Sequence, residues 1–249
     1  MKKSDNFFDH LDILRKKIVL ILISLLFFFI FAFLFRNKIV FLISEPVSSF
    51  NLPELNFYFF RLYGKFLAYI KLSFYFSILC TIPIAFFLLI SFIYPALYTK
   101  EKKTFIALFS FSPLLYFFSI FFVYKYLAPF AIKFFLSFSS GDNIDPLLNF
   151  AGYIDLIFFL IIFLSLIFQT PVILLLLIKF NIISTKMLIK FRKYIVILIF
   201  IFAALFTPPD VISQILVGSI LYLLFEFTIL IAKVINRNKN EKDFKNENN

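Results

Sequence analysis

With 62% hydrophobic and only 16% charged residues over 249 positions, the chain is too apolar for a soluble domain, where about 45–50% and 25% are usual. A net charge of +11 suggests nucleic acid until the charges are placed along the chain. Cys80 and His10 are the only cysteine and histidine, which excludes an intrachain disulfide, a paired-histidine metal or haem site, and a serine–histidine dyad within a membrane.

Residues 1–17 are polar, with basic pairs at Lys2-Lys3 and Lys16-Lys17, and the apolar run 18–35 follows. It is too long for a signal-peptide core and no small-residue cleavage site follows it, so it reads as a retained first span. Residues 37–65 are mixed and read as a loop with short amphipathic pieces. Two proline-containing apolar runs come next, 66–98 and 105–135, separated by the patch Lys100-Glu101-Lys102-Lys103. A turn-rich loop at 139–145 leads to a fourth span, 156–177, and a basic loop, 179–193. Runs 195–205 and 215–232 form a short hairpin around Thr207-Pro208-Pro209-Asp210. Two prolines cannot donate backbone hydrogen bonds, and Asp210 is placed to cap the helix that follows.

The expectation is an all-α polytopic membrane protein of six transmembrane helices, the last two short. It divides into an N-terminal segment, 1–17, a membrane domain, 18–235, and a disordered, Asn-, Lys- and Glu-rich tail, 236–249. All the lysines and arginines except Arg36, Lys38, Arg61, Lys65, Lys71, Lys125 and Lys133 fall in the two termini and the two loops on their side. The positive-inside rule therefore puts both termini in the cytoplasm, and it accounts for the basic charge without nucleic acid. The 43 phenylalanines are read as acceptable lipid-facing residues without a function of their own. Only four glycines are present, so tight packing of helices through small residues is not expected to dominate.

Polar groups inside spans need a reason. Gln169, two residues before Pro171, either bonds a neighbouring helix or marks a polar spot on a cavity wall. Glu226 either pairs with a cation near the interface or serves a function as an intramembrane charge. Glu101 reads as a solvated loop charge, and Asp12 and Arg15 as a local pair one helical turn apart. Asp142 and Asp145 belong to a turn. A secondary transporter of a small solute, with Gln169, Asp210 and Glu226 along its path, is the alternative function. An intramembrane protease lacks both a dyad and a metal motif.

Taken together, the motifs resemble the TatC family, the twin-arginine translocase receptor subunit. They are His10-Leu11-Asp12-Ile13-Leu14-Arg15, Ser44-Glu45-Pro46, Lys71, and Phe92-Ile93-Tyr94-Pro95 followed by Lys100-Glu101-Lys102. Tyr124 with Pro129, Phe168-Gln169-Thr170-Pro171, Arg192-Lys193-Tyr194, the Thr-Pro-Pro-Asp turn with Gln214, and Tyr222 to Glu226 complete the set. Two positions depart from the family. Its N-terminal glutamate is Ile13 here, with Asp12 one place earlier and about 100° around a helix, and its span-four glutamate is Gln169.

The resemblance implies a cupped, concave helical wall and a receptor for folded precursors, with no enzymatic activity, cofactor or metal. Glu101, with Asp12 as a substitute for the missing glutamate, would recognise the paired arginines of a signal peptide. Arg15, Phe92 and Pro95 would shape that surface. Pro46, Gln169, Pro171, Pro208, Pro209, Asp210, Gln214 and Glu226 would serve structure or partner docking. The implied partners are twin-arginine signal peptides, single-span TatA- or TatB-type subunits and further copies of the chain, in a bacterial inner membrane energised by the proton-motive force.

Overall fold

In the computed structural model, residues 2–48, 57–96, 99–139, 148–206 and 211–247 are described. The chain forms helices α1 (Lys2–Leu34), α2 (Arg36–Ser48), α3 (Gly64–Ile93), α4 (Thr99–Phe109), α5 (Phe111–Phe122), α6 (Ala128–Ser139), α7 (Phe150–Ile167), α8 (Thr170–Lys179), α9 (Thr185–Lys190), α10 (Arg192–Phe206) and α11 (Val211–Glu247). Two short strands, β1 (Phe57–Tyr58) and β2 (Leu148–Asn149), pair in parallel. Two compact units result: Met1–Lys102 with Asp142–Ile162, and Lys103–Gly141 with Phe163–Asn249.

Among the described residues, five stretches are long and apolar enough to cross a membrane: Leu11–Leu34, Gly64–Phe92, Phe105–Leu136, Phe150–Lys179 and Gln214–Val234. The protein is thus an all-α, multi-pass membrane protein. The expected fifth span coincides with α10, which at 15 residues is not among these five. The last is not short, because its apolar part runs 21 residues. The boundary drawn at 235/236 falls inside α11, which continues to Glu247. No proline or glycine lies beyond Gly218 to stop a helix there.

In the first unit, α1 packs along α3. Ser73, Ser77 and Thr81 form a buried stripe at four-residue spacing on α3. Ser73 and Ser77 return their hydroxyls to Tyr69 O and Phe74 O, at 2.8 and 2.7 Å. Small hydroxylated residues therefore supply close packing that the scarcity of glycine had argued against. The strand pair joins Phe57 to Leu148, and the Phe57 ring meets those of Phe150 and Tyr153 at about 5 Å. Tyr153 donates its hydroxyl to Ile43 O, so the α2 end, β1 and the start of α7 form one knot.

In the second unit, the prolines explain where helices are interrupted. A helical Pro129 would clash with the carbonyl of Lys125. The turn before it, Val123–Leu127, widens to π geometry, with Ala128 N–H reaching Val123 O. Pro171 has no N–H for Ile167 O, and the Thr170 hydroxyl takes that carbonyl at 2.6 Å. The fourth span consequently breaks into α7 and α8, with Pro171 in the first turn of α8.

Helices α10 and α11 meet closely at Gly218, where an added Cβ would lie 2.7 Å from the edge of the Phe200 ring. Gly218→Ala is expected to lower the unfolding midpoint in detergent. Overpacking costs about 1–3 kcal/mol, of which alanine's helix propensity returns up to about 1. Phe200→Leu in the same chain should restore much of the loss, and no rescue would show that the ring is not the obstacle.

Candidate functional site

The sequence candidates separate into a group in the first unit and several polar pairs in the second. In the first unit, Lys17 of α1 donates its ammonium to Leu88 O at 3.2 Å and to the Ser91 hydroxyl. That tie brings the start of the first apolar span to the end of α3. Phe92 is half-buried there, and Pro95 is exposed in the turn Tyr94–Ala96. Lys102 returns to the turn, its ammonium 5.0 Å from the centre of the Tyr94 ring. Helix α4 begins at Thr99, so Glu101 stands in its first turn, where the helix dipole favours an acid. The Glu101 side chain lies outside the described residues.

Asp12, Arg15 and Lys16 border an open surface pocket of about 630 Å³. Asp12 and Arg15 are both exposed, and the ion pair expected between them does not form. Among the described residues Asp12 has no ion-pair partner. Ile13 is also exposed, so the one-residue displacement of the acid leaves it on an accessible side of the helix.

The polar candidates of the second unit are engaged internally. Gln169 is 1% exposed. Its Oε1 accepts from the Ser112 hydroxyl at 2.6 Å, and its Nε2 donates to Ser112 O at 3.3 Å. Seven residues along from Ser112, Ser119 bonds Ser165 at 3.0 Å, both buried. The two contacts form a polar ladder between α5 and the α7–α8 junction, which is the neighbouring-helix reading of Gln169. Glu226 accepts from the Tyr222 hydroxyl at 2.9 Å and lies 3.0 Å from Arg192 Nε, an ion contact without an aligned N–H. Gln214 donates to Phe200 O at 3.2 Å, fastening α11 to α10. Pro171 is buried and borders an apolar cleft of about 420 Å³ with Leu198, Phe202 and Phe225. With Gln169 and Glu226 both paired, the path imagined for a small solute loses two of its three groups. Pro208, Pro209, Asp210 and the Pro46 side chain lie outside the described residues.

Sequence reasoning missed Ser112, Ser119 and Ser165. Their signal was a seven-residue spacing in one span facing a four-residue spacing, Ser165 to Gln169, in the next. It also missed Asp155 in the first unit, which pairs with Lys71 at 2.7 Å and accepts from the Tyr75 hydroxyl at 3.0 Å.

Residues 9–219 match the family model for the Sec-independent protein translocase protein, TatC. Similar proteins include the Sec-independent translocase protein TatC of Magnetococcus marinus, 31% identical across 94% of this chain and 86% of that one. TatCy of Bacillus subtilis is 30% identical across 92% and 89%. A crystal structure of the twin-arginine translocase receptor TatC superimposes with a TM-score of 0.76 at 29% identity, covering 90% of this chain and 99% of that one.

The polar ladder is open to measurement. Ser112→Ala should cost about 0.6–2 kcal/mol, the range for hydrogen bonds between membrane helices. In a double-mutant cycle with Gln169→Leu, the pair should lose less than the sum of the single changes. Strict additivity would mean that the two side chains do not support each other.

Proposed function

Because the chain belongs to the TatC family of Sec-independent protein translocases, we propose that it is the subunit that receives twin-arginine signal peptides of folded precursors. Glu101 and Asp12 are its arginine-binding carboxylates. A guanidinium presents a planar fork of donors that a carboxylate accepts in pairs, which an ammonium cannot reproduce. Phe92 and Pro95 form the adjoining apolar surface, and Arg15 and Lys16 keep other cationic segments at a distance.

What supports this reading is the tie from Lys17 to Leu88 and Ser91. It gathers the Asp12 segment, Phe92, Pro95 and the start of α4 at one end of a helix pair, with Asp12 unpaired. Binding there is an equilibrium of recognition and calls for no catalytic group. In this reading the termini are cytoplasmic, the membrane is the bacterial inner membrane, and the proton-motive force supplies the energy. Single-span subunits and further copies of the chain complete the complex. Gln169 contributes by holding the α7–α8 junction in shape, a positioning role compatible with the loss of the family's charge.

The test is photocrosslinking of Arg-Arg and Lys-Lys signal peptides to the protein in membranes. Glu101→Ala should weaken Arg-Arg binding about ten- to a hundredfold, as expected for one charge-assisted partner. Asp12→Ala should weaken it less, and neither should change the faint labelling by Lys-Lys. Equal labelling by both peptides in the unaltered protein would remove the receptor reading.

A further inference from the structure

A second charged region lies in the first unit, at the Gly64 end of α3. Five cations gather there in sequence or space: Arg36, Lys38, Arg61, Lys65 and Lys71. Among the described residues only Lys71 has a carboxylate within ion-pair reach. The others rest on rings: Arg36 over Phe33 and Tyr69, Lys38 over Phe35, Lys65 over Tyr69 and Arg61 over Tyr63, at 5.1–5.9 Å. Arg61 also donates to the Tyr63 hydroxyl at 3.2 Å, a neutral partner that leaves its charge uncompensated.

Arg61 and Lys71 border the same open pocket of about 580 Å³. Its remaining wall is largely apolar. Phe60, 67% exposed, stands at the mouth, and Leu67, Ile70 and Phe74 continue along α3. The ten residue steps from Gly64 to Phe74 cover about 15 Å of helix. The pocket thus has Arg61 at its mouth, where the span begins, and a mainly apolar wall leading inward, on which Lys71 is held by Asp155.

We propose that this pocket holds one anionic phospholipid. Its phosphate sits on Arg61, and one acyl chain lies along Leu67, Ile70 and Phe74. A zwitterionic lipid brings its own cation to the phosphate and so has less need of Arg61. An anionic lipid leaves its charge for the guanidinium, which binds phosphate oxygens in pairs. Exposed aromatic side chains beside the mouth suit the membrane interface, where rings are enriched. The site is separate from the Asp12–Glu101 end and does not depend on the peptide-receptor reading.

The experiment uses the full chain, purified in neutral detergent. Native mass spectrometry measures retention of dioleoylphosphatidylglycerol against dioleoylphosphatidylcholine. The unaltered protein should hold the anionic lipid about tenfold more tightly, the scale of one charge-assisted contact. Arg61→Gln should erase that preference, and Arg61→Lys should keep part of it. Ile70→Trp should lower retention of both lipids by filling the wall, which tests the chain position if Arg61→Gln folds poorly. Equal retention of the two lipids, or an undiminished preference in Arg61→Gln, would overturn the proposal. Competition by glycerol phosphate as effective as by the whole lipid would also overturn it, since the mouth would then be a site for soluble anions.

Discussion

Lipid offers no water to a stranded polar group, so each backbone or side-chain group freed inside a span must be taken up again by protein, and leaving one unpaired costs several kcal/mol. Much of what is irregular in this chain follows from that rule. Pro171 releases Ile167 O, and the Thr170 hydroxyl claims it. Pro129 is accommodated by a widened turn that still closes a hydrogen bond, from Ala128 to Val123. Ser73 and Ser77 bend back to their own helix. Gln169 and Ser112 satisfy each other. The prolines shape the helices, and neighbouring hydroxyls make the shapes affordable.

The same rule divides the polar residues into two kinds. Most of those described within the apolar spans are engaged by internal bonds, the buried Thr81 hydroxyl being an exception without a partner among the described residues. Ser119 with Ser165, and Glu226 with Tyr222 and Arg192, are among the engaged. Those at span ends keep some capacity in reserve. Asp12 is exposed and unpaired, and Arg61 faces a neutral hydroxyl and a ring. In the proposed role for this translocase component, spare charge at the rims is what recognition would draw on.

The spans were legible in the sequence because long apolar runs bounded by charge admit few other readings. The break at Gln169 was also legible, because a proline's missing N–H is a local fact. The partner of Gln169 was not. Ser112 lies 57 positions away, and whether the two meet depends on how each helix is rotated, which packing decides. Asp155 escaped for a similar reason: at the start of a span it looks like an ordinary boundary acid until Lys71 and Tyr75 are seen around it. The buried stripe Ser73-Ser77-Thr81 was present as a four-residue spacing, but attention to glycine hid it. Family motifs singled out Asp12, Phe92 and Pro95 in the first unit, and the structure added the Lys17 tie between α1 and the end of α3.

The length of α10 has a consequence for the membrane itself. Its 15 residues rise about 22 Å, against a hydrocarbon core of about 30 Å. Part of the difference can be met by Lys193 and Tyr194, both exposed in its first turn, while Arg192 is held against Glu226. In the six-span reading, the remainder would fall on the lipids, which compress beside the helix at a cost that grows with each ångström of mismatch. Bilayer thickness would then be a variable the protein senses, with thicker, more ordered membranes penalising the seating of α10.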